Sequence, residues 1–120
     1  MRYEAEIVTG KGRGKTLGFP TLNLSIPRPF PYVFGIYAGW VFINKKTYPA
    51  AFHFGPVPTF KEKNPTLEAF LIEVHLVSVP RRLEFAIIQF IREVKVFNTP
   101  QALVDQMSED VKESKKILGI

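Results

Sequence analysis

The sequence of 120 residues contains no cysteine, so it offers neither a disulfide framework nor a thiolate metal site. It contains only two histidines, and His53 has no second ligand at a spacing typical of zinc sites. No apolar run approaches the roughly 20 residues that a membrane-spanning helix needs. The first residues, MRYEAEIV, also lack the basic and then apolar layout of a signal peptide. We therefore expect a cytoplasmic protein that does not associate with membranes.

The composition is that of one compact domain, which we expect to span residues 1–120. Apolar residues make up 46% of the chain and charged residues 22%, and 11 phenylalanines are available for a core. The formal net charge of +5 favours anionic partners. A nucleoside triphosphate or a nucleic acid would satisfy that preference. The alternative is a basic surface with no special partner.

Prolines and glycines separate short apolar runs along the chain, which is typical of an all-β barrel or sandwich. Asn44-Lys45-Lys46 has the composition of a hairpin turn. The predicted strands cover residues 3–8, 34–43, 47–54, 66–77 and 83–97, although the last run also fits a helical spacing.

A helix is predicted at the C-terminal end of the chain. Thr99 suits the N-cap and Pro100 the first helical position, while Gly119 can end the helix. An apolar stripe follows an approximate helical spacing at Leu103, Met107, Val111 and Leu118. The sequence therefore predicts about six strands with one helix packed against them.

A glycine-rich basic loop follows the first predicted strand. Gly12 and Gly14 alternate with Arg13 and Lys15. Glycines let the backbone N–H groups approach an anion closely, and the cations attract it. A plain surface turn has the same composition. The spacing matches neither a Walker loop nor a dinucleotide-binding fingerprint.

Thr21 and Asn23 follow this loop and point to the same side if the chain is extended there. A hydroxyl and an amide oxygen are hard ligands that suit Mg²⁺. Both groups are neutral, so we expect the metal to arrive with a nucleotide. A turn stabilised by the two polar side chains is the alternative.

The stretch GKGRGKTLGFPTLNL, residues 10–24, resembles the signature of the riboflavin kinase family, a Gly-Arg-Gly loop followed by Leu-Gly-Phe/Ile-Pro-Thr-x-Asn. Four shorter pieces resemble further motifs of the family in the same order. They are Gly35-Ile36-Tyr37, Gly55-Pro56-Val57-Pro58-Thr59-Phe60, Thr66-Leu67-Glu68-Ala69-Phe70-Leu71, and Ile91-Arg92 with Phe97.

This resemblance implies a six-stranded Greek-key β-barrel with a C-terminal α-helix. It implies ATP-dependent phosphorylation of the riboflavin 5′-hydroxyl to FMN, with Mg²⁺. Thr21 and Asn23 are then the metal ligands, and the loop from Gly12 to Lys15 is a flap over the phosphates. The expected partners are riboflavin, FMN, ATP and ADP, bound by a monomer that does not bind nucleic acid.

The resemblance also assigns Glu68 as the catalytic proton acceptor. In the predicted strand 66–77, Glu68 shares a face that looks apolar with Phe70 and Ile72, which calls for a paired carboxylate or one at the mouth of a site. Glu73, on the other face, is the rival acid. Arg92 is expected either to contact the flavin or to form an ion pair on the strand surface.

One stretch departs from the family's pattern. The family usually has an Asp/Gly-rich loop ending in Leu-Tyr-Gly after the glutamate strand, whereas residues 75–82 contain no glycine and no tyrosine. Two further hypotheses therefore stand beside the kinase. One is a flavin- or nucleotide-binding barrel without turnover, and the other is a nucleic-acid-binding barrel suggested by charge and aromatics.

Overall fold

The computed structural model describes residues 1–8, 21–56 and 64–120. These residues form six antiparallel strands and a C-terminal helix, which confirms the predicted all-β barrel class with one helix. In chain order the elements are β1 (Tyr3–Glu6), β2 (Leu22–Leu24), β3 (Gly35–Ile43), β4 (Lys46–Gly55), β5 (Thr66–Leu71), β6 (Arg82–Arg92) and α1 (Pro100–Leu118). The predicted flap from Gly12 to Lys15 lies outside the described residues.

The sheet curls into a nearly closed barrel. Its strand order is β1-β6-β3-β4-β5-β2, with antiparallel pairing between neighbours. The first and last strands of this order also meet, because Ile7 forms a bridge with Leu24. Two backbone hydrogen bonds of 2.8 Å reinforce the closure, from Val8 N to the Asn23 carbonyl and from Ser25 N to the Glu6 carbonyl. Closure removes most of the free sheet edge.

The β3–β4 hairpin follows from its turn residues. Asn44 and Lys45 have φ angles of 49° and 68°, the positive values that a two-residue turn of the primed type requires. The predicted turn at this position is therefore confirmed, and β4 begins at Lys46, the last residue predicted for the turn.

Alternating side chains divide the sheet into an inner and an outer face. The inner face forms the barrel core, whose fully buried large side chains include Val41, Phe52, Leu67 and Phe85. Helix α1 packs on the outer face of β3, β4 and β6. Small residues on that face, among them Ala38 and Ala51, are buried and allow the helix to approach closely.

The predicted strand 3–8 ends two residues early, at Glu6, and two other predicted strands end much earlier than the sequence pattern indicates. β5 stops at Leu71 instead of continuing to residue 77, because the chain turns and Glu73 takes a φ of 56°. The prediction that Glu68 lies on the apolar face of its strand is also wrong. The buried residues of β5 are Leu67, Ala69 and Leu71, so Glu68 lies on the outer face. β6 stops at Arg92 instead of residue 97, and the helical alternative for this run is wrong.

Helix α1 has the predicted caps. The Thr99 hydroxyl oxygen accepts a hydrogen bond from Ala102 N at 3.1 Å, and Gly119 ends the helix with a φ of 75°. The predicted apolar stripe is only half-buried, whereas the most buried residues of the helix are Asp110 and Ser114. No helix in the described residues combines the length and the apolar character needed to cross a membrane.

Candidate active site

A single row of side chains crosses the outer face of five strands. The registers place Asn23 opposite Glu68, Glu68 opposite His53, His53 opposite Ile36, and Ile36 opposite Arg92. Residues directly opposite each other in antiparallel strands project from the same face of the sheet. We call these five residues the outer row. It joins a predicted metal ligand, the predicted proton acceptor and the predicted flavin contact along one line.

Glu68 accepts hydrogen bonds from two neighbouring hydroxyl groups. The Thr21 hydroxyl donates a hydrogen bond of 2.9 Å to Glu68 Oε1. The Thr66 hydroxyl lies 3.2 Å from Glu68 Oε2 and 3.4 Å from the Gly55 carbonyl oxygen. The Glu68 side chain is 21% exposed. Two hydroxyls thus orient a carboxylate that remains open to a substrate.

Thr21 and Asn23, the predicted metal ligands, flank Glu68, the predicted proton acceptor. Phosphoryl transfer needs a metal ion and a proton acceptor close together. β2 is extended from Leu22 to Leu24, and Asn23 is the direct strand partner of Glu68. Because Thr21 donates its proton to Glu68, its oxygen lone pairs stay free for a cation. These neutral oxygen donors fit Mg²⁺. In the described ranges 1–8, 21–56 and 64–120, no cluster of three or more His, Cys, Asp or Glu forms a separate metal site.

His53 lies on the other side of Glu68. Its Nδ1 is 3.9 Å from Glu68 Oε2, is fully buried and has no hydrogen-bond partner in the described structure. Burial lowers the pKa of the His53 imidazole below its usual 6.5. Glu68 opposes this shift through its negative charge, and Arg92 adds to it. The ring is therefore neutral near pH 7.

The buried imidazole should make the folding stability depend on pH. In the unfolded chain His53 takes up a proton near pH 6.5, but in the folded protein only at lower pH. As the pH falls below 6.5, protons therefore favour unfolding, by at most about 1.4 kcal/mol per pH unit for one group. Urea unfolding between pH 7 and pH 5 should show a steeper loss of stability for the wild type than for His53→Asn. Equal slopes would contradict this expectation.

Arg92 ends β6 and forms a buried ion pair with the helix. Its Nε and Nη2 donate hydrogen bonds of 2.8 and 2.7 Å to the two carboxylate oxygens of Asp110. The side chains are 13% and 7% exposed. Gln106 Nε2 also donates to Asp110, at 3.1 Å. The ion pair is thus an observed contact of Arg92, while the predicted flavin contact remains a proposal.

The rival acid Glu73 lies away from the outer row. It is an exposed residue of the turn after β5, and it pairs with Lys115 near the end of α1.

Three aromatic residues precede β3, namely Phe30, Tyr32 and Phe34. Phe30 packs against Tyr3, Tyr32 and Phe54, whereas about half of the Phe34 surface is exposed.

Three residues of the site environment were not identified from the sequence as members of the site. His53 and Thr66 meet Glu68 through strand register and alternation, and Asp110 meets Arg92 across 18 positions of sequence. A local signal existed only for Thr66, which precedes Glu68 by two residues and therefore shares its face.

These features define a small antiparallel barrel with an ordered carboxylate site on its outer face. The sequence matches the Flavokinase family model, described as riboflavin kinase, over residues 1–118. The chain belongs to the riboflavin kinase family.

Curated relatives agree with this assignment. The bifunctional riboflavin kinase/FMN adenylyltransferase of Bacillus subtilis is 32% identical over 115 residues, which cover 90% of this chain and 35% of that protein. The Escherichia coli K12 protein of the same name is 28% identical over 95% of this chain and 37% of its own length. The chain thus spans little more than a third of the length of these relatives.

Solved structures show the same fold. A Streptococcus pneumoniae chain described as a macrolide-efflux protein superposes with a TM-score of 0.82 at 25% identity, over 95% of this chain and 38% of that one. Riboflavin kinase from Trypanosoma brucei superposes with a TM-score of 0.64 at 22% identity, over 98% of this chain and 79% of that one.

Proposed function

We propose that this chain transfers the terminal phosphoryl group of ATP to the 5′-hydroxyl of riboflavin and produces FMN. The observation that carries the proposal is the Glu68 carboxylate, oriented by Thr21 and Thr66 next to Asn23. Membership of the riboflavin kinase family supports riboflavin as the acceptor.

Glu68 acts as the proton acceptor in this proposal. The 5′-hydroxyl must lose its proton as it attacks the γ-phosphorus, and a carboxylate within hydrogen-bond reach can take it. The two threonine hydroxyls fix the rotamer of Glu68, so that little reorganisation is needed when the substrate binds. The leaving group is ADP.

Thr21 Oγ1 and the side-chain oxygen of Asn23 would hold Mg²⁺ together with phosphate oxygens. When bound, the ion neutralises charge on the phosphates and orients them for in-line transfer. The hydrogen bond from Thr21 to Glu68 keeps the proton acceptor at a fixed position relative to this metal ligand. The proposal also includes the flap from Gly12 to Lys15 over the phosphates, and Arg92 at the flavin side.

The direct test is to incubate the protein with riboflavin, ATP and Mg²⁺ and to separate the flavins by chromatography. Formation of FMN and ADP in equal amounts is expected. The proposal fails if no FMN forms with any common nucleoside triphosphate and divalent metal. Quenching of riboflavin fluorescence without FMN would favour a binding barrel without turnover.

Replacing Asn23 with Ala should raise the Mg²⁺ concentration needed for half-maximal activity. Loss of one of two neutral protein ligands leaves the ion held mainly by the nucleotide, and we expect an increase of about tenfold. Activity is titrated with Mg²⁺ at saturating ATP. Asn98→Ala, an exposed position before the helix, is the matched control. An unchanged Mg²⁺ requirement in Asn23→Ala would remove its role as a ligand.

The partners in this proposal are riboflavin, FMN, ATP and ADP, bound by a monomeric single domain, residues 1–120, in the cytoplasm. A monomer predicts a mass near 13.7 kDa in light scattering. A larger particle would contradict that part of the proposal. Oligonucleotide binding that weakens steeply with salt would contradict the absence of a nucleic-acid partner.

A further inference from the structure

One buried nitrogen of the site has no partner in the described structure. Nδ1 of His53 makes no hydrogen bond there, yet it faces Glu68 Oε2 at 3.9 Å. The β4–β5 register fixes the two residues directly opposite each other. A buried polar atom without a partner costs free energy. A hydrogen-bond donor that appears opposite Nδ1 during the reaction would explain why this nitrogen lies unpaired in the site.

The chemistry of the two groups explains why they do not bond at rest. We assign the proton of the neutral His53 ring to Nε2, because Nδ1 makes no hydrogen bond to the nearby Glu68 carboxylate. Nδ1 then offers only a lone pair, and an ionised carboxylate only accepts hydrogen bonds. Burial lowers the pKa of His53 and Arg92 lowers it further, against the effect of Glu68, so the ring is neutral. Two acceptors then face each other across a gap longer than a hydrogen bond.

We propose that His53 is a positioning residue, whose Nδ1 accepts a hydrogen bond from Glu68 once Glu68 has taken the proton of the substrate hydroxyl. This inference rests on the proposed kinase function. The O–H bond of the hydroxyl breaks as its oxygen bonds to the γ-phosphorus, the bond from that phosphorus to the ADP oxygen breaks, and the proton moves to Oε2 of Glu68.

The protonated carboxyl group is the donor that Nδ1 lacks. A side-chain shift of about 1 Å brings Oε2 and Nδ1 into hydrogen-bond distance. His53 therefore stabilises the state after proton transfer more than the state before it, which is the condition for a contribution to kcat. Binding of ATP does not involve this contact and should not depend on it.

Three substitutions at residue 53 test the inference in the FMN assay. His53→Leu should lower kcat about tenfold, the effect of one lost hydrogen bond, with the KM for ATP unchanged. His53→Asn places a polar atom where Nδ1 lies, and its kcat should be within about threefold of the wild-type value. His53→Gln places the polar atom near Nε2, and its kcat should be as low as that of His53→Leu. Wild-type kcat in His53→Leu, or equal recovery in Asn and Gln, would overturn the inference.

An NMR measurement tests the same contact without activity. The protein has two histidines, so the ¹⁵N signals of His53 can be assigned by comparison with His75, which is exposed. The wild type should show an unprotonated Nδ1 at His53. In Glu68→Gln the side-chain amide can donate as the protonated carboxyl would, and the Nδ1 signal should move upfield while His75 stays constant.

An unshifted Nδ1 signal in Glu68→Gln, or a proton on Nδ1 in the wild type, would overturn the role of His53. Absence of FMN from the wild type would overturn the kinase function instead, and the NMR result would still decide whether the contact forms. The Asn and Gln variants remain informative if His53→Leu does not fold, because both keep a polar side chain.

Discussion

Glu68→Gln is expected to lower kcat for FMN formation by about 10²- to 10⁴-fold, the range that a positioned general base contributes. The substitution keeps the size of the side chain and can still accept a hydrogen bond from Thr21 or Thr66. It cannot take up the substrate proton. Affinity for ATP should therefore change little, and equilibrium binding of ATP in the presence of Mg²⁺ separates this loss from a loss of binding.

Glu73→Gln is the matched control for the first expectation. Glu73 lies in an exposed turn, and its pairing with Lys115 links that turn to the helix away from the outer row. Exposed ion pairs contribute little to stability, so both kcat and the unfolding midpoint should stay close to the wild type. Full turnover in Glu68→Gln would remove Glu68 as the base. A large loss in Glu73→Gln would point to the rival acid.

Asp110→Ala should lower the free energy of unfolding by about 3–5 kcal/mol, because it leaves the buried Arg92 guanidinium without its counter-charge. Both charged side chains are largely removed from water, and two short hydrogen bonds join them. A loss of this size is a large share of the stability of a small domain. Urea unfolding followed by circular dichroism gives the value.

Asp105→Ala on the exposed side of the same helix is the control, with an expected change below about 0.5 kcal/mol. The double variant Arg92→Met with Asp110→Leu removes both charges together and should recover much of the lost stability. A loss below about 1 kcal/mol in Asp110→Ala would contradict a buried charge pair. If Asp110→Ala does not fold, the milder Asp110→Asn can be used to measure the loss of stability.

Features set by neighbouring residues could be predicted from the sequence. The turn at Asn44 and Lys45 depends only on residues next to it in the sequence. Each helix cap, Thr99 at one end and Gly119 at the other, likewise depends on residues within one helical turn of it. The common side of Thr21 and Asn23 depends only on an extended chain at Leu22. Their oxygen donors suggested Mg²⁺ with a turn as the alternative, and resemblance to the family decided for the metal, as it did for proton transfer at Glu68.

Features set by distant residues could not be predicted in this way. The apolar alternation continues past Leu71, but the strand ends there and the chain turns at Glu73, whose φ is 56°. The contact between His53 and Glu68 depends on the register of β4 and β5. The burial of Asp110 depends on Arg92 lying beneath the helix, so an apolar stripe could not reveal it.

The closing strand β2 is only three residues long, and it carries Asn23 and directly follows Thr21. Its separation from β5 would take both proposed metal ligands away from Glu68 while the other strands stayed paired. Local openings of short elements need less free energy than global unfolding. Nucleotide at Thr21 and Asn23 of β2 and flavin at Glu68 of β5, bound together, would therefore stabilise the pairing of these two strands. The backbone amide protons that pair β2 with β5 would then exchange with solvent more slowly when nucleotide and flavin are bound together.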